Sequence, residues 1–309
     1  MNHDDIALRL DDVCKSFGRI RAVDHLSIEV HPGEMVGFLG PNGAGKSTAL
    51  YMASRLVRPS AGKIEIFGHD VWKDFKEAIR YVGIMAEMPS FYEYLSARKN
   101  LELMARLRFD ANRSQIDAIL EKIGLFERRN DKVATYSHGM KQRLGLGMAL
   151  IGSPKLLILD EPTNGMDPEG TREILNFLKE KITNDGLTVF VSSHLLYEVE
   201  EYCDRVFVIN HGRLIASGKV KEILAPHENV LHVTFHDTTV NIESLLHEDG
   251  IELVESLSNN SVVITLKNRD SVWLNKLLLN RGYKVSALTP KQKTLKEFFL
   301  SVTGENNNA

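Results

Sequence analysis

The residues best placed to do chemistry are Gly40-Pro41-Asn42-Gly43-Ala44-Gly45-Lys46-Ser47-Thr48, a lysine and two hydroxyls behind spaced glycines. Such a loop lets consecutive backbone N–H groups curl inward as an anion nest, and a following helix adds the positive end of its dipole. In that geometry Lys46 reaches the β- and γ-phosphates of a nucleoside triphosphate, and the Ser47 hydroxyl ligates Mg²⁺. A second constellation is Asp160-Glu161, which ends the apolar run Leu156-Leu157-Ile158-Leu159. Carboxylates at the C-terminal end of a buried strand lie where open α/β sheets bind ligands. Asp160 is positioned to hold Mg²⁺, directly or through water, and Glu161 to deprotonate an attacking water as general base. A third is Ser137-His138-Gly139-Met140-Lys141-Gln142-Arg143. Ser137 is a good helix N-cap, while Gly139 costs stability in a first turn and leaves the backbone open to close approach. That helix end is a competent phosphate donor site, although it lies far from Gly40 in sequence.

These groups need a scaffold. Met35-Val36-Gly37-Phe38-Leu39 reads as a buried strand before the glycine loop, and Ala49 to Leu56 as a helix after it. The pairs Leu8/Leu10 and Ile28/Val30 alternate as strands do, the second ended by Pro32-Gly33. Phe17, in Lys15-Ser16-Phe17-Gly18, reads on pattern alone as a core aromatic. Pro59-Ser60-Ala61-Gly62 turns into a strand from Lys63 to Phe67. From Glu87 to Pro154 the periodicity is helical, over Asn100 to Arg108 and Ser114 to Ile123, with Gly124 as a stop. This predicts a helical subdomain at about 87–155, then the strand Lys155 to Glu161. A helix near 167–183, strands at Leu187 to Ser192 and Arg205 to Ile209, and a hairpin through His211-Gly212 into Arg213 to Ala216 complete a first domain, 1–225.

After Ala225-Pro226 the order becomes strand (Val230 to Phe235), helix (Ile242 to His247), strand (Ile251 to Leu257), an Asn259-Asn260 turn, strand (Val262 to Leu266), helix (Asp270 to Asn280) and strand (Tyr283 to Leu288). That is the split βαββαβ pattern, predicting an α+β accessory domain at 226–309 without a catalytic constellation. A closing helix near 294–302 carries Leu295, Phe298, Phe299 and Val302 on one face.

Bulk properties exclude some classes. Lys+Arg 38 against Asp+Glu 41, a formal charge of −3 over 309 residues, argues against nucleic acid as a partner. Cys14 and Cys203 are far apart in sequence without metal-ligand spacing and read as buried free thiols of a reducing compartment. The start, Met1-Asn2-His3-Asp4-Asp5, lacks the basic and apolar regions of a secretory leader. The longest apolar stretch, Leu144 to Ile151, falls short of the about 20 residues a membrane span needs. The expectation is a soluble chain.

Together the motifs resemble the ATP-binding subunit of an ABC transporter over residues 6 to about 225: the loop Gly40 to Thr48, Ser137 to Arg143, Leu156 to Glu161, Asn164-Gly165-Met166-Asp167, and Ser192-Ser193-His194. The resemblance implies that two subunits sandwich two ATP molecules with Mg²⁺. It implies that Ser137 and Gly139 contact the γ-phosphate held by the other subunit's Lys46. It also implies that Phe17 stacks on adenine, that His194 senses the γ-phosphate, and that Asp167 acts across the dimer interface. Glu87, in Met85-Ala86-Glu87-Met88-Pro89, stands where the family usually has Gln; there it is a catalytic and Mg²⁺-ligand candidate. His138 and Met166 also depart from the commonest residues. The stretch Tyr81 to Arg98 and the tail Thr294 to Leu300 resemble the subgroup that exports lantibiotics, bacitracin and drugs.

The reading is therefore an α/β P-loop nucleotide-binding domain with an antiparallel β side-sheet and a helical subdomain, plus a small α+β domain. It implies an ATP hydrolase on the cytoplasmic side of the membrane, paired as a homodimer and bound to a permease of about six spans. Phe91, Tyr92 and Tyr94 are the candidate groove for that partner, or else pack within the helical subdomain. The alternatives are a soluble ABC ATPase acting on ribosomes or DNA, and an exporter of lipid or polysaccharide. A single cassette and the lack of sustained heptads disfavour the first. A P-loop kinase has no use for the Ser137 helix or His194.

Overall fold

In the computed structural model, residues 6–108, 114–225, 229–236, 245, 248–258 and 260–303 are described. The chain divides into two compact units, residues 1–220 with 299–309, and residues 221–298.

The first unit is built on two sheets. β1 (Leu8–Phe17), β2 (Ile20–Val30), β4 (Ala61–Ile66) and β5 (His69–Asp70) form an antiparallel side sheet in the order β2-β1-β4-β5. The main sheet comprises β3 (Met35–Leu39), β6 (Val82–Met85), β7 (Leu156–Asp160), β8 (Thr188–Ser193), β9 (Arg205–Asn210) and β10 (Arg213–Lys219). Its order is β10-β9-β3-β8-β7-β6, parallel except for the β9–β10 hairpin. β3, β7 and β8 are buried at every position, which is why they read as continuous apolar runs. Helix α1 (Lys46–Ala53) starts directly from the glycine loop. Its Ala49, Leu50 and Ala53 join a core shared by Leu8, Leu10 and Ile28 of the side sheet and Phe38, Ile158 and Phe190 of the main sheet. The phosphate loop is thereby clamped between two sheets.

Helices α2 (Phe75–Ile79), α3 (Ala97–Leu107), α4 (Ser114–Lys122) and α5 (His138–Leu150) lie between β5 and β7. The last three form their own apolar cluster around Leu101, Ile116, Leu120, Ile123 and Leu144. Ser96 caps α3 by accepting from Lys99 N at 3.3 Å. The strand β6, α2 and α7 (Leu196–Tyr202) carry no clear sequence pattern. β6 is four residues long and contains Gly83, too short for a period to register. α6 (Pro168–Asp185) has Pro at its start and ends at Gly186 with φ +67, a left-handed C-cap. α8 (Val220–Ile223) ends this region.

In the second unit, β11 (Val230–Phe235), β12 (Ile251–Ser258), β13 (Ser261–Leu266) and β14 (Val285–Pro290) form an antiparallel sheet in the order β12-β13-β11-β14. α9 (Ser271–Asn280) is capped by Asp270, which accepts from Trp273 N at 2.8 Å. Leu274 and Leu278 of α9 pack with Leu231, Val233 and Ile264 of the sheet. The helix expected at 242–247 and Asn259 of the expected turn lie outside the described residues, apart from the buried Leu245. α10 (Leu295–Thr303) closes the described chain.

Candidate functional site

The loop between β3 and α1 owes its shape to two close backbone approaches. A Cβ at Gly40 would lie 2.4 Å from the Ile209 carbonyl oxygen, and one at Gly45 would lie 2.3 Å from that of Ala22. Gly45 also has φ +105, a region L-residues avoid. Gly45→Ala is therefore expected to lower the chain's stability by about 2–3 kcal/mol, measured by denaturant titration. Unchanged stability would show that the backbone contact is not tight. Pro41 O accepts from Ala44 N at 3.1 Å, and Ala44 O accepts from Gly212 N at 2.9 Å, tying the loop to the β9–β10 turn. Asn42 and Gly43 are exposed at its tip, and Thr48 is half-buried in α1.

Lys46 is 7% exposed, and its Nζ donates to Gly40 O at 2.7 Å and Pro41 O at 3.3 Å. Burial pushes its ammonium below the usual lysine range, while Glu161, Asp160 and Glu87 pull it back up. Three carboxylates thus converge electrostatically on one lysine. Ser47 Oγ donates to Asp160 Oδ1 at 3.2 Å, and Ser192 Oγ donates to the same oxygen at 2.6 Å. Asp160 Oδ2 is buried and has no hydrogen bond of ordinary geometry among the described residues. Burial, and then the Asp160 charge, raise the nearby Tyr51 phenol. A buried carboxylate between a serine hydroxyl and the Tyr51 phenol fits a hard divalent cation with oxygen ligands, so the donor set suits Mg²⁺.

Glu161 follows at the strand end with φ +48, a left-handed conformation for a residue with a side chain. Its backbone N donates to Ser192 Oγ at 3.0 Å, and its Oε2 meets His194 Nδ1 at 2.7 Å. His194 is half-exposed and Glu161 nearly buried. Behind them Glu198, on α7, accepts from Thr163 Oγ1 at 3.0 Å and Ser193 Oγ at 3.1 Å. Burial raises the Glu198 carboxyl despite these bonds. Glu198 and the orienting role of Ser192 are not legible in the sequence, because Asp160 meets Ser192 only through the β7–β8 pairing and Thr163 meets Glu198 only once α7 is in place.

The remaining residues divide into two groups. Phe17 ends β1 at 50% exposure, with Lys15 Nζ 4.8 Å over its ring, so it is not a core aromatic. Glu87 is half-buried, and its carbonyl accepts from Gln142 Nε2 of α5 at 2.8 Å. The buried Gln142 thus couples the Glu87 loop to the Ser137 helix within one chain. Ser137 caps α5 through Met140 N at 3.2 Å and is exposed. A Cβ at Gly139 would stand 3.4 Å from Gly165 O, so this helix start lies against the Asn164–Asp167 loop rather than the glycine loop. Asp167, exposed, precedes Pro168 at the start of α6.

Residues 23–164 match the ABC transporter family. The chain is 38% identical over 304 residues, 96% of each chain, to the uncharacterized ABC transporter ATP-binding protein YhcH of Bacillus subtilis. It is 36% identical to the bacitracin transport ATP-binding protein BcrA of Bacillus licheniformis, over 96% of this chain and 97% of that one. Among solved structures, a dimeric post-hydrolysis state of the ATP-binding cassette MJ0796 bound to ADP and Pi is similar, with a TM-score of 0.64 at 25% identity. That match covers 69% of this chain and 98% of the cassette. The glycine loop, the strand-end carboxylates and these likenesses agree: the chain belongs to the ABC transporter family, as an ATP-binding subunit that hydrolyses ATP.

Proposed function

We propose that this subunit drives export of a peptide antibiotic, drug or similar cargo through a separate permease of about six spans. The observation that carries the reading is the unbroken hydrogen-bonded path from Ser47 through Asp160 and Ser192 to Glu161 and His194. Kinship with a bacitracin transport protein supports the cargo class and favours it over a ribosome- or DNA-directed ATPase. No helix among the described residues is long and apolar enough to cross a membrane, in keeping with a peripheral subunit on the cytoplasmic face.

The residues act as follows. Gly40 to Thr48 cradle the phosphates, and Lys46 Nζ exchanges its carbonyl partners for phosphate oxygens. Phe17 offers its exposed ring to adenine. Ser47, Asp160 and Glu87 would hold Mg²⁺, which when bound neutralises charge on the phosphates. Glu161 takes the proton of the attacking water, held in place by His194 and its bond to Ser192. His194 also senses the γ-phosphate. Ser137, Gly139 and Asp167 serve a second copy of the chain, forming the homodimer, as the exposure of Ser137 and Asp167 allows. Residues 1–225 act as the cassette, with the helical subdomain at 87–155, and 226–309 as an accessory domain.

Tyr92 and Tyr94 are 57% and 69% exposed, whereas Phe91 packs against the helical cluster. A concavity of about 500 Å³ beside them is lined by Ser90, Phe91, Tyr92, Met104 and Leu107 and is our candidate seat for the permease. Through Gln142, the Glu87 loop joins this surface to the Ser137 helix. Glu87→Gln is expected to leave ATP affinity within about threefold, because Lys46 and the loop dominate binding, yet to cut cargo moved per ATP by about tenfold. The assay is hydrolysis and cargo uptake in parallel, in vesicles carrying the permease. If both change in proportion, or neither changes, Glu87 does not couple the two.

A further inference from the structure

Cys14 and Cys203 are buried free thiols, but Cys14 is not isolated chemically. Cys14 lies on β1, and Asp24 and His25 lie on the paired β2, with shifts in the strand register on both sides of the Val13 to Lys15 stretch. The pairing brings Cys14 Sγ, an Asp24 carboxylate oxygen and a His25 ring nitrogen within 4.8 Å of one another. A single cation binds all three. Arg21 Nη2 meets Cys14 Sγ at 3.5 Å and His25 Nε2 at 3.1 Å, and Arg21 Nε meets Asp24 Oδ1 at 2.7 Å.

The supporting contacts aim each donor inward. His25 Nδ1 meets Asp12 Oδ1 at 2.6 Å; a carboxylate accepts, so Nδ1 carries the proton and Nε2 keeps its lone pair for the cluster. Asp24 Oδ2 is occupied by Arg213 Nε at 2.5 Å, which leaves Oδ1 for the cluster. That oxygen is buried and is held by Arg21 Nε, so an ion there takes the place of the guanidinium. The backbone N of His25 donates to Cys14 Sγ at 3.3 Å, a contact that fixes the sulfur beside the cluster. A carboxylate behind a histidine, and donors behind the other two ligands, are what metal centres use to orient their ligands.

We propose that Cys14 Sγ, Asp24 Oδ1 and His25 Nε2 form a site for Zn²⁺ or a similar borderline-soft divalent ion, which enters as Arg21 swings out. Sulfur, imidazole nitrogen and carboxylate oxygen are the zinc donor types, and a three-residue set leaves the fourth position to water. Tetrahedral ligation with bonds of about 2.0–2.3 Å draws the ligand atoms to about 3.5 Å apart, roughly an ångström closer than the widest separation here. Side-chain rotation supplies that contraction, and Arg21, half-exposed, is free to leave toward solvent. Binding releases the Cys14 thiol proton to water as the sulfur–metal bond forms. Mg²⁺, which prefers oxygen ligands, does not compete for the sulfur.

The test uses the full chain, stripped of metal with a chelator and titrated with Co²⁺ and then Zn²⁺. The expected result is a thiolate-to-cobalt charge-transfer band at one Co²⁺ per chain, displaced by Zn²⁺. Cys14→Ser should remove the band and Cys203→Ser should keep it. Arg21→Ala deletes the resident cation and should tighten Zn²⁺ binding by about fivefold or more. Asp12→Asn should weaken it by about ten- to a hundredfold. The wild-type spectrum needs no variant to fold, and the absence of a thiolate band there overturns the proposal. So does a band that is lost with Cys203→Ser instead, or an Arg21→Ala chain that binds Zn²⁺ no more tightly than wild type.

Discussion

Glu161→Gln is expected to lower ATP turnover by about 10²–10⁴-fold while ATP still binds. The amide keeps the shape of the carboxylate, and its carbonyl oxygen still accepts from His194 Nδ1, but it takes no proton from water. The backbone bond to Ser192 Oγ at 3.0 Å and the left-handed φ of +48 are unaffected by the change, so the strand end keeps its geometry. In the proposed site Lys46 and the glycine loop hold the nucleotide, so affinity should stay near that of wild type. The measurement is steady-state phosphate release beside equilibrium binding of a fluorescent ATP analogue. Turnover within about threefold of wild type, a change below about 1 kcal/mol in the barrier, would remove Glu161 from the role of base.

Lys46→Ala and Ser137→Arg chains are each expected to be inactive alone and to recover activity when mixed. Removing Lys46 takes away a buried ammonium on which the charges of Glu161, Asp160 and Glu87 all act, so phosphate should meet uncompensated carboxylates. Ser137→Arg puts a bulky cation at the exposed start of α5, on the surface assigned to the second copy. It also removes the cap on Met140 N, a loss of about 1 kcal/mol that a thermal melt can monitor separately. Two-fold symmetry places both lesions in one site of a mixed dimer and neither in the other. Random mixing then leaves about a quarter of the sites intact, and activity should approach that share. A Ser137→Arg chain that hydrolyses ATP normally by itself would refute the shared site.

Much of the fold was legible because chemistry and local backbone demand the same residues. Glycines at 40 and 45 are required by the carbonyl oxygens of Ile209 and Ala22, and the same glycines mark the loop in the sequence. The runs at Met35 to Leu39 and Leu156 to Asp160 are uniformly apolar because both faces of each strand are buried. Short or long-range features were harder to see. β6 offers four residues, and its Gly83 sits where a Cβ would strike the Ala149 carbonyl oxygen at 2.0 Å, a demand invisible without α5 in place. Glu198 reads as an ordinary helix surface residue, yet α7 turns it inward onto Thr163 and Ser193. Cys14 shows no metal spacing along the chain, because its neighbours Asp24 and His25 arrive across a strand pair. Phe17 illustrates the opposite error: an aromatic within a strand pattern need not face the core, and here the strand ends with its ring half in solvent.

In the proposed cycle ATP closes two copies of this chain around Lys46 and Glu161 of one and Ser137 of the other. Light scattering on purified Glu161→Gln, with Mg²⁺ and either ATP or ADP, tests it most directly. With turnover slowed by the expected factor of about 10²–10⁴ and binding retained, the chain should show twice the single-chain mass with ATP and a single-chain mass with ADP. A single-chain mass at saturating ATP would contradict it.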